Sequence, residues 1–339
     1  MSVKRAIVTR LGAIGDLVQI TPLLKLLKED GYHVTLHAKK NAQDMLRLDP
    51  NIDRFLIHDE SVPISGLDEY LEKLYKDYDK VVNLSGVIEE GLLPLEGTPN
   101  YKLSHDERHA RFNQNYFDAI LEKGGYKVTG LLPELYFSPT ERMEASRYMG
   151  KFKNKFVVLW ALSGSAHHKA WPFTEESMKF WYQAHPDTMF ITVGDDFCVM
   201  FETDKASYIV PKSGVWHIRK SMLMTKYVDL VIAPETGILS AAGAYDTPKI
   251  ALLSHSSIEN LTKYFKRCIN IYADVACYPC HQLHYTLTSC DLVHEFPSPV
   301  CMAKISPATL LNHIEDVYQD WKVKSGTHSR IEGQNILCT

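Results

Sequence analysis

Three glycine-bearing turns each end an apolar, β-type run and open a helical pattern. Each carries residues that could do chemistry on a phosphate or a hydroxyl. In residues 10–24 (RLGAIGDLVQITPLL), Gly12 and Gly15 permit a tight turn and Asp16 stands at the helix start. A helix start offers unpaired N–H groups to an anion, and a carboxylate there can serve as a general base. Asp16 can equally be a first-turn carboxylate stabilised by the helix dipole. In residues 161–172 (ALSGSAHHKAWP), Ser163, Gly164 and Ser165 can donate backbone and hydroxyl hydrogen bonds to phosphate, and Lys169 adds a cation. A solvated loop with an incidental lysine is the competing reading. His167 and His168 are sequence neighbours and need not face the same way, so they are no metal pair. In residues 231–253, Pro234-Glu235-Thr236-Gly237 precedes a helix rich in small residues, beginning with Ser240. Thr236 and Gly237 would present N–H groups to an anion. Glu235 is out of place beside an anion site unless it serves another partner, such as a sugar hydroxyl.

Two further clusters bear on partners. Cys277 and Cys280 form a CxxC knuckle, followed by Cys290 and Cys301, with His281, His284 and His294 among them. Such a knuckle suits tetrahedral zinc, but the second half lacks a tight pair. A structural zinc therefore competes with ordinary reduced cysteines. Lys102, Arg108, His109 and Arg111 could meet phosphates of a lipid core or nucleic acid, or could lie on a solvated surface.

These residues need elements to hold them. Residues 4–9, 33–37, 55–58 and 80–84 read as strands, with helical spacing over 16–27, 66–75 and 108–122. The pattern restarts with strands at 156–161, 188–193, 208–210, 228–233 and 249–253, and helices at 174–182 and 236–245. Residues 138–155 are polar and read as a linker with a helix start. Ser306 and Pro307 open a helix whose face carries Leu310, Leu311, Ile314, Val317, Tyr318 and Trp321. The predicted organisation is a domain over 1–150, a second over 151–322 and a flexible tail over 323–339. Alternation of strands and helices makes both domains α/β with parallel sheets. Ligands of such sheets bind beyond the carboxyl ends of the strands, here in a cleft between two halves.

Composition narrows the classes. The chain has 339 residues, 45% apolar and 23% charged, which excludes a disordered chain or a small disulfide scaffold. Thirty-seven Lys+Arg against 41 Asp+Glu give a net charge of −4, so no global basic field draws the protein to nucleic acid or anionic lipid. Lys4, Arg5 and Arg10 interrupt the N-terminus, which does not read as a signal peptide. No apolar stretch approaches the ~18 residues of a membrane span. The expectation is a cytoplasmic protein, at most peripheral to the inner face of the membrane. Its seven cysteines are expected to stay reduced or bind metal.

In their order and spacing, the three segments resemble the heptosyltransferase-like glycosyltransferases of family 9, which have the GT-B fold of two Rossmann-like domains with a central cleft. The family pattern LGDxxxxxPxL stands here as Ile14-Gly15-Asp16-Leu17-Val18-Gln19-Ile20-Thr21-Pro22-Leu23. Its Lys-x-Trp-Pro stands as Lys169-Ala170-Trp171-Pro172. Its DTGxxHxAxAxxxPxxxL stands as Glu235-Thr236-Gly237-Ile238-Leu239-Ser240-Ala241-Ala242-Gly243-Ala244, then Pro248. The resemblance covers most of the chain, to about residue 320.

It implies an acceptor-binding N-terminal domain and a C-terminal domain for a nucleotide-diphosphate sugar. Asp16 would be the base of a single inverting displacement. Ser163, Gly164, Ser165, Lys169, Glu235, Thr236, Gly237 and Ser240 would hold the donor, with Asp195 and Asp196, as weaker candidates, near its ribose. No metal or further cofactor would be required. The acceptor would be a lipopolysaccharide core or a related glycan. Two departures, Glu235 for the family's Asp and Ser240 for its His, leave the sugar open. The alternatives are transfer to a protein hydroxyl or a modified DNA base, or a non-catalytic nucleotide-sugar-binding protein. The retained Asp16 argues against the last. The absence of GxGxxG argues against a dehydrogenase.

Overall fold

The computed structural model describes residues 3–93, 96–164, 166–202, 206–283, 290 and 298–334. Two groups of strands organise them, and every pairing is parallel. β1 (Arg5–Arg10), β2 (His33–Ala38), β3 (Arg54–Ile57) and β4 (Lys80–Asn83) form one sheet in the order β3-β2-β1-β4. β5 (Phe156–Ala161), β6 (Thr188–Val193), β7 (Ile209–Pro211), β8 (Leu230–Pro234), β9 (Lys249–Leu252) and β10 (Cys268–Ile271) form the second, in the order β10-β9-β8-β5-β6-β7. β5 is buried along its whole length, as expected of a central parallel strand covered on both faces. Trp160 stacks on Trp171 at 6.0 Å beneath the loop that follows it.

The chain forms two compact units. One comprises Met1–Ser138, His255–Phe265 and Pro279–Leu283; the other comprises Pro139–Ser254, Lys266–Tyr278 and His284–Thr339. The division falls at 138/139 rather than 150/151 because the helix Pro139–Met149 is pinned within the second unit. Arg219 Nε donates to Glu141 Oε1 at 2.6 Å and Nη2 to Oε2 at 3.0 Å, a two-pronged pair with little exposure. The segment His255–Phe265 belongs to the first unit through polar locks. Asn260 Nδ2 donates to the Phe112 and Gln114 carbonyls at 2.7 and 2.9 Å, and Tyr264 OH donates to Asp118 at 2.7 Å.

Local chemistry explains where elements break. The pattern over 16–27 is two helices, Ile14–Gln19 and Thr21–Glu29. Pro22 has no N–H to give the Val18 carbonyl, and the Thr21 hydroxyl donates to it instead at 2.9 Å. The predicted helix over 108–122 is also two, His105–Phe112 and Tyr116–Lys123, because Asn115 caps the second through the Phe117 and Asp118 N–H groups. The last helix runs from Pro307 to Gln334, so the backbone stays helical through most of the span expected as a flexible tail. Once the anchored first half exists, each further residue adds a hydrogen bond without a new nucleation cost. Residues 335–339 lie outside the described residues. Among the described residues, no helix is long and apolar enough to cross a membrane.

Lys249, fully buried at the amino end of β9, donates to the carbonyls of Tyr245 and Lys266. Burial pushes its pKa down to about 8. The unfolded chain therefore binds more protons than the folded one between about pH 8 and the ordinary lysine value, and this residue makes stability rise with pH across that window. The adjacent Cys268 thiol, pushed up to about 12 by burial, acts in the opposite sense above its ordinary value of 9.0. We expect Lys249→Met to abolish a rise in urea midpoint that the wild type shows between pH 8 and 9. Parallel midpoints for the two proteins across that step would contradict it.

Candidate functional site

In the first unit, β1 runs directly into the Asp16 turn. Asp16 Oδ2 accepts from the Ala13 N–H at 2.8 Å and pairs with Arg10 Nη2 at 2.9 Å. Arg10 is 1% exposed and Asp16 19%. Arg10 Nη1 also donates to the Leu84 carbonyl just past β4, so one guanidinium joins the ends of two neighbouring strands to the Asp16 carboxylate. Asp16 thus closes the helix start and is held by a buried cation at the carboxyl edge of the sheet. These two roles share one side chain.

In the second unit, the carboxyl ends of the adjacent strands β5 and β8 bring the sequence-predicted donor residues together. Ser163 and Gly164 follow β5, and Glu235, Thr236 and Gly237 follow β8. Lys169, buried at 7% exposure, donates from Nζ to the Glu235 carbonyl at 2.9 Å. A Cβ on Gly164 would lie 3.0 Å from Thr236 Cγ2 and 3.3 Å from Lys169 Cδ, a tight approach that favours glycine. Thr236 caps the helix Gly237–Ala242, its Oγ1 accepting from the Leu239 N–H at 3.3 Å. Ser240 lies buried within that helix. Ser165 falls outside the described residues.

Glu235, whose presence at this turn asked for a partner, has one in the neighbouring strand end. Its two carboxylate oxygens accept from the Ser254 N–H at 2.7 Å and the Ser254 hydroxyl at 2.9 Å. It thereby ties β8 to the loop after β9. Asp195 is exposed past β6, on the other side of β5, and accepts from the Cys198 N–H at 3.1 Å. Asp196, also exposed, packs against Gly214, whose φ of +64 no ordinary side chain adopts freely. Glu202 was not foreseen. It accepts from Thr192 Oγ1 and Ser213 Oγ at 2.6 Å each and from Ser213 N at 3.1 Å, bracing the ends of β6 and β7. No motif surrounds it, so only the fold reveals it.

The predicted basic surface is corrected. Arg108 is buried and donates to the Gly91 and Asn100 carbonyls at 2.8 and 2.7 Å, so it holds a loop rather than facing a phosphate. His109 Nδ1 lies 3.0 Å from His281 Nε2. Lys102 and Arg111 remain exposed. Cys301 is buried in the core of the second unit, and Cys277, Cys280 and Cys290 are half-buried, none of them in a disulfide among the described residues. Among the described residues, no group of three or more His, Cys, Asp or Glu is placed to hold a metal ion. His284 and His294 fall outside them.

No family model and no curated protein sequence matches the chain. Its fold is similar to those of solved glycosyltransferases. A family 9 glycosyl transferase from Veillonella parvula superposes with a TM-score of 0.67 at 15% identity, covering 94% of this chain and 98% of that one. E. coli ADP-heptose LPS heptosyltransferase II gives a TM-score of 0.64 at 12% identity, covering 94% and 99%. E. coli heptosyltransferase WaaC with ADP gives 0.56 at 10% identity, covering 92% and 99%. The likeness is one of fold: α/β units with parallel sheets in the GT-B manner.

Proposed function

We propose that this protein is a glycosyltransferase that moves a sugar from a nucleoside-diphosphate sugar to an acceptor hydroxyl, with inversion at the anomeric carbon. The observation that carries the reading is the convergence of Lys169, the Gly164 notch and the Thr236-capped helix at the ends of β5 and β8. A buried ammonium beside a capped helix start suits the two negative charges that develop on a departing diphosphate. Solved neighbours of the same fold include one with ADP, which supports a nucleotide ligand.

Asp16 is the proposed base. As the acceptor oxygen attacks the anomeric carbon, its proton passes to the carboxylate and the bond to the diphosphate breaks. The cation of Lys169 and the protein N–H donors offset the leaving charge, so a metal ion is not required by this mechanism. The proposed acceptor is a glycan, with the lipopolysaccharide core as its first candidate. The test is nucleoside diphosphate release from ADP- and UDP-sugars over an acceptor panel. Acceptor-dependent release is the expected result. Tight donor binding without release over the whole panel would overturn it.

A further inference from the structure

A buried chain of polar side chains at the carboxyl edge of the first sheet has no part in the chemistry above. Thr9 and His37 are paired in register one residue before the ends of β1 and β2, and both are fully buried. Tyr75 OH donates to Thr9 Oγ1 at 3.0 Å. Thr9 Oγ1 lies 3.2 Å from His37 Nδ1, and His37 Nε2 lies 3.3 Å from His58 Nδ1. His58 directly follows β3, and its backbone N–H extends the ladder to the Ala38 carbonyl at 2.9 Å. Tyr70 sets its ring edge-on to His58, with centroids 5.8 Å apart. His58 and Tyr70 are both half-exposed.

Counting protons gives this chain a direction. The Thr9 hydroxyl accepts from Tyr75 and has one proton of its own, for which His37 Nδ1 is the acceptor. Burial, with His58 beside it, holds His37 neutral, its pKa pushed down to about 4. With the Thr9 proton given to Nδ1, the single N–H of His37 is on Nε2 and donates to His58 Nδ1. With its Nδ1 accepting from His37, His58 carries a proton on Nε2, for which no protein acceptor is present among the described residues. Packing alone would be served as well by apolar residues at Thr9 and His37, and buried polar chains that break the local rule gather at functional sites. This one ends in a fixed donor beside an aromatic ring, at the sheet edge where folds of this class bind ligands.

The surroundings define what fits. β3 is two strands from β1, or about 10 Å, so the His58 N–H lies beyond the acceptor sugar whose hydroxyl gives its proton to Asp16. Between Phe55 and Glu72 the sequence has Asp59, Glu60, Asp68, Glu69 and Glu72 and neither Lys nor Arg, while exposed Lys39 and Lys40 follow β2. We propose that His58 and Tyr70 form a subsite for an uncharged sugar residue of the acceptor, adjoining the one whose hydroxyl reacts. His58 Nε2 donates to a sugar oxygen, and the Tyr70 ring covers a C–H face. The proposal rests on the glycosyltransferase reading.

The test is saturation-transfer NMR on the full chain without donor, using lactose, cellobiose and chitobiose with their 6-phosphates as probes. Neutral sugars should bind the wild type and Asp16→Asn alike, and at least fivefold more weakly the His58→Ala and Tyr70→Ala variants. The phosphates should bind less well than their parents. Equal binding by all variants, no neutral binder, or preference for the phosphates (an anion site at Lys39 and Lys40) would each overturn it. Nitrogen-15 spectra of the wild type give a check free of folding effects: both His37 and His58 should be Nε2–H tautomers, and an Nδ1–H form of His58 would remove the donor. Sugar binding through His58 with no donor consumed would leave the subsite standing and remove the transferase. Transfer with an unchanged acceptor KM in His58→Ala would do the reverse.

Discussion

Asp16→Asn should lower turnover by about 10²- to 10⁴-fold, the range lost when a positioned base is removed, while leaving nucleoside diphosphate affinity unchanged. The substitution separates the two roles that the side chain combines. Asparagine retains a carbonyl oxygen that can accept from the Ala13 N–H, so the start of the helix Ile14–Gln19 survives. It also leaves Arg10 its bond to the Leu84 carbonyl. What disappears is the negative charge and the capacity to take a proton from the acceptor. The proposed diphosphate contacts, Lys169 and the Thr236 turn, are in the other unit, so binding of ADP or UDP should report an intact protein. The measurement is kcat from diphosphate release, paired with Kd by calorimetry. Turnover within a few-fold of wild type would make Asp16 a helix-start residue and nothing more. A parallel loss of kcat and of thermal stability would point to the broken Arg10–Asp16 ion pair, and Arg10→Met, which breaks the same pair while keeping the carboxylate, would then reproduce it.

The sequence carried the strands and turns well because local chemistry determines them. Continuous apolar runs such as 156–161 become buried parallel strands, and glycines mark where those strands give way to helices. The placement of the residues proposed to hold the donor was legible for the same reason: they follow strand ends, where folds of this class place ligands. What stayed hidden depends on partners far along the chain. Arg108 lies in a stretch that reads as surface, and only the carbonyls of Gly91 and Asn100 turn it into a buried pin. Glu235 needed Ser254, 19 residues away, to account for its charge. Thr9, His37 and His58 are separated by 28 and 21 residues, and no spacing rule unites them before the strands align. The 138–155 stretch reads as a linker because its composition is polar, yet Arg219, 78 residues downstream, anchors its helix through Glu141.

Lys169→Met should weaken nucleoside diphosphate binding by about 10- to 100-fold, the size of a charge-assisted hydrogen bond to an ionised partner. The aliphatic part of methionine fills most of the space that the lysine stem occupies beside Gly164, so packing is largely kept and the ammonium is what is lost. The bond from Nζ to the Glu235 carbonyl fixes that ammonium next to the Thr236 cap before any ligand arrives, which lowers the ordering cost of binding. Two comparisons identify the charge as the cause. Gly164→Ala crowds Thr236 Cγ2 and Lys169 Cδ while leaving the cation in place, so it should cost less than Lys169→Met in the same titration. The loss in Lys169→Met should also be larger for the diphosphate than for the corresponding nucleoside, because a nucleoside has no phosphate for the cation to meet. If nucleoside and diphosphate lose affinity equally, the lysine supports the pocket wall, and the diphosphate must be held elsewhere on the second sheet.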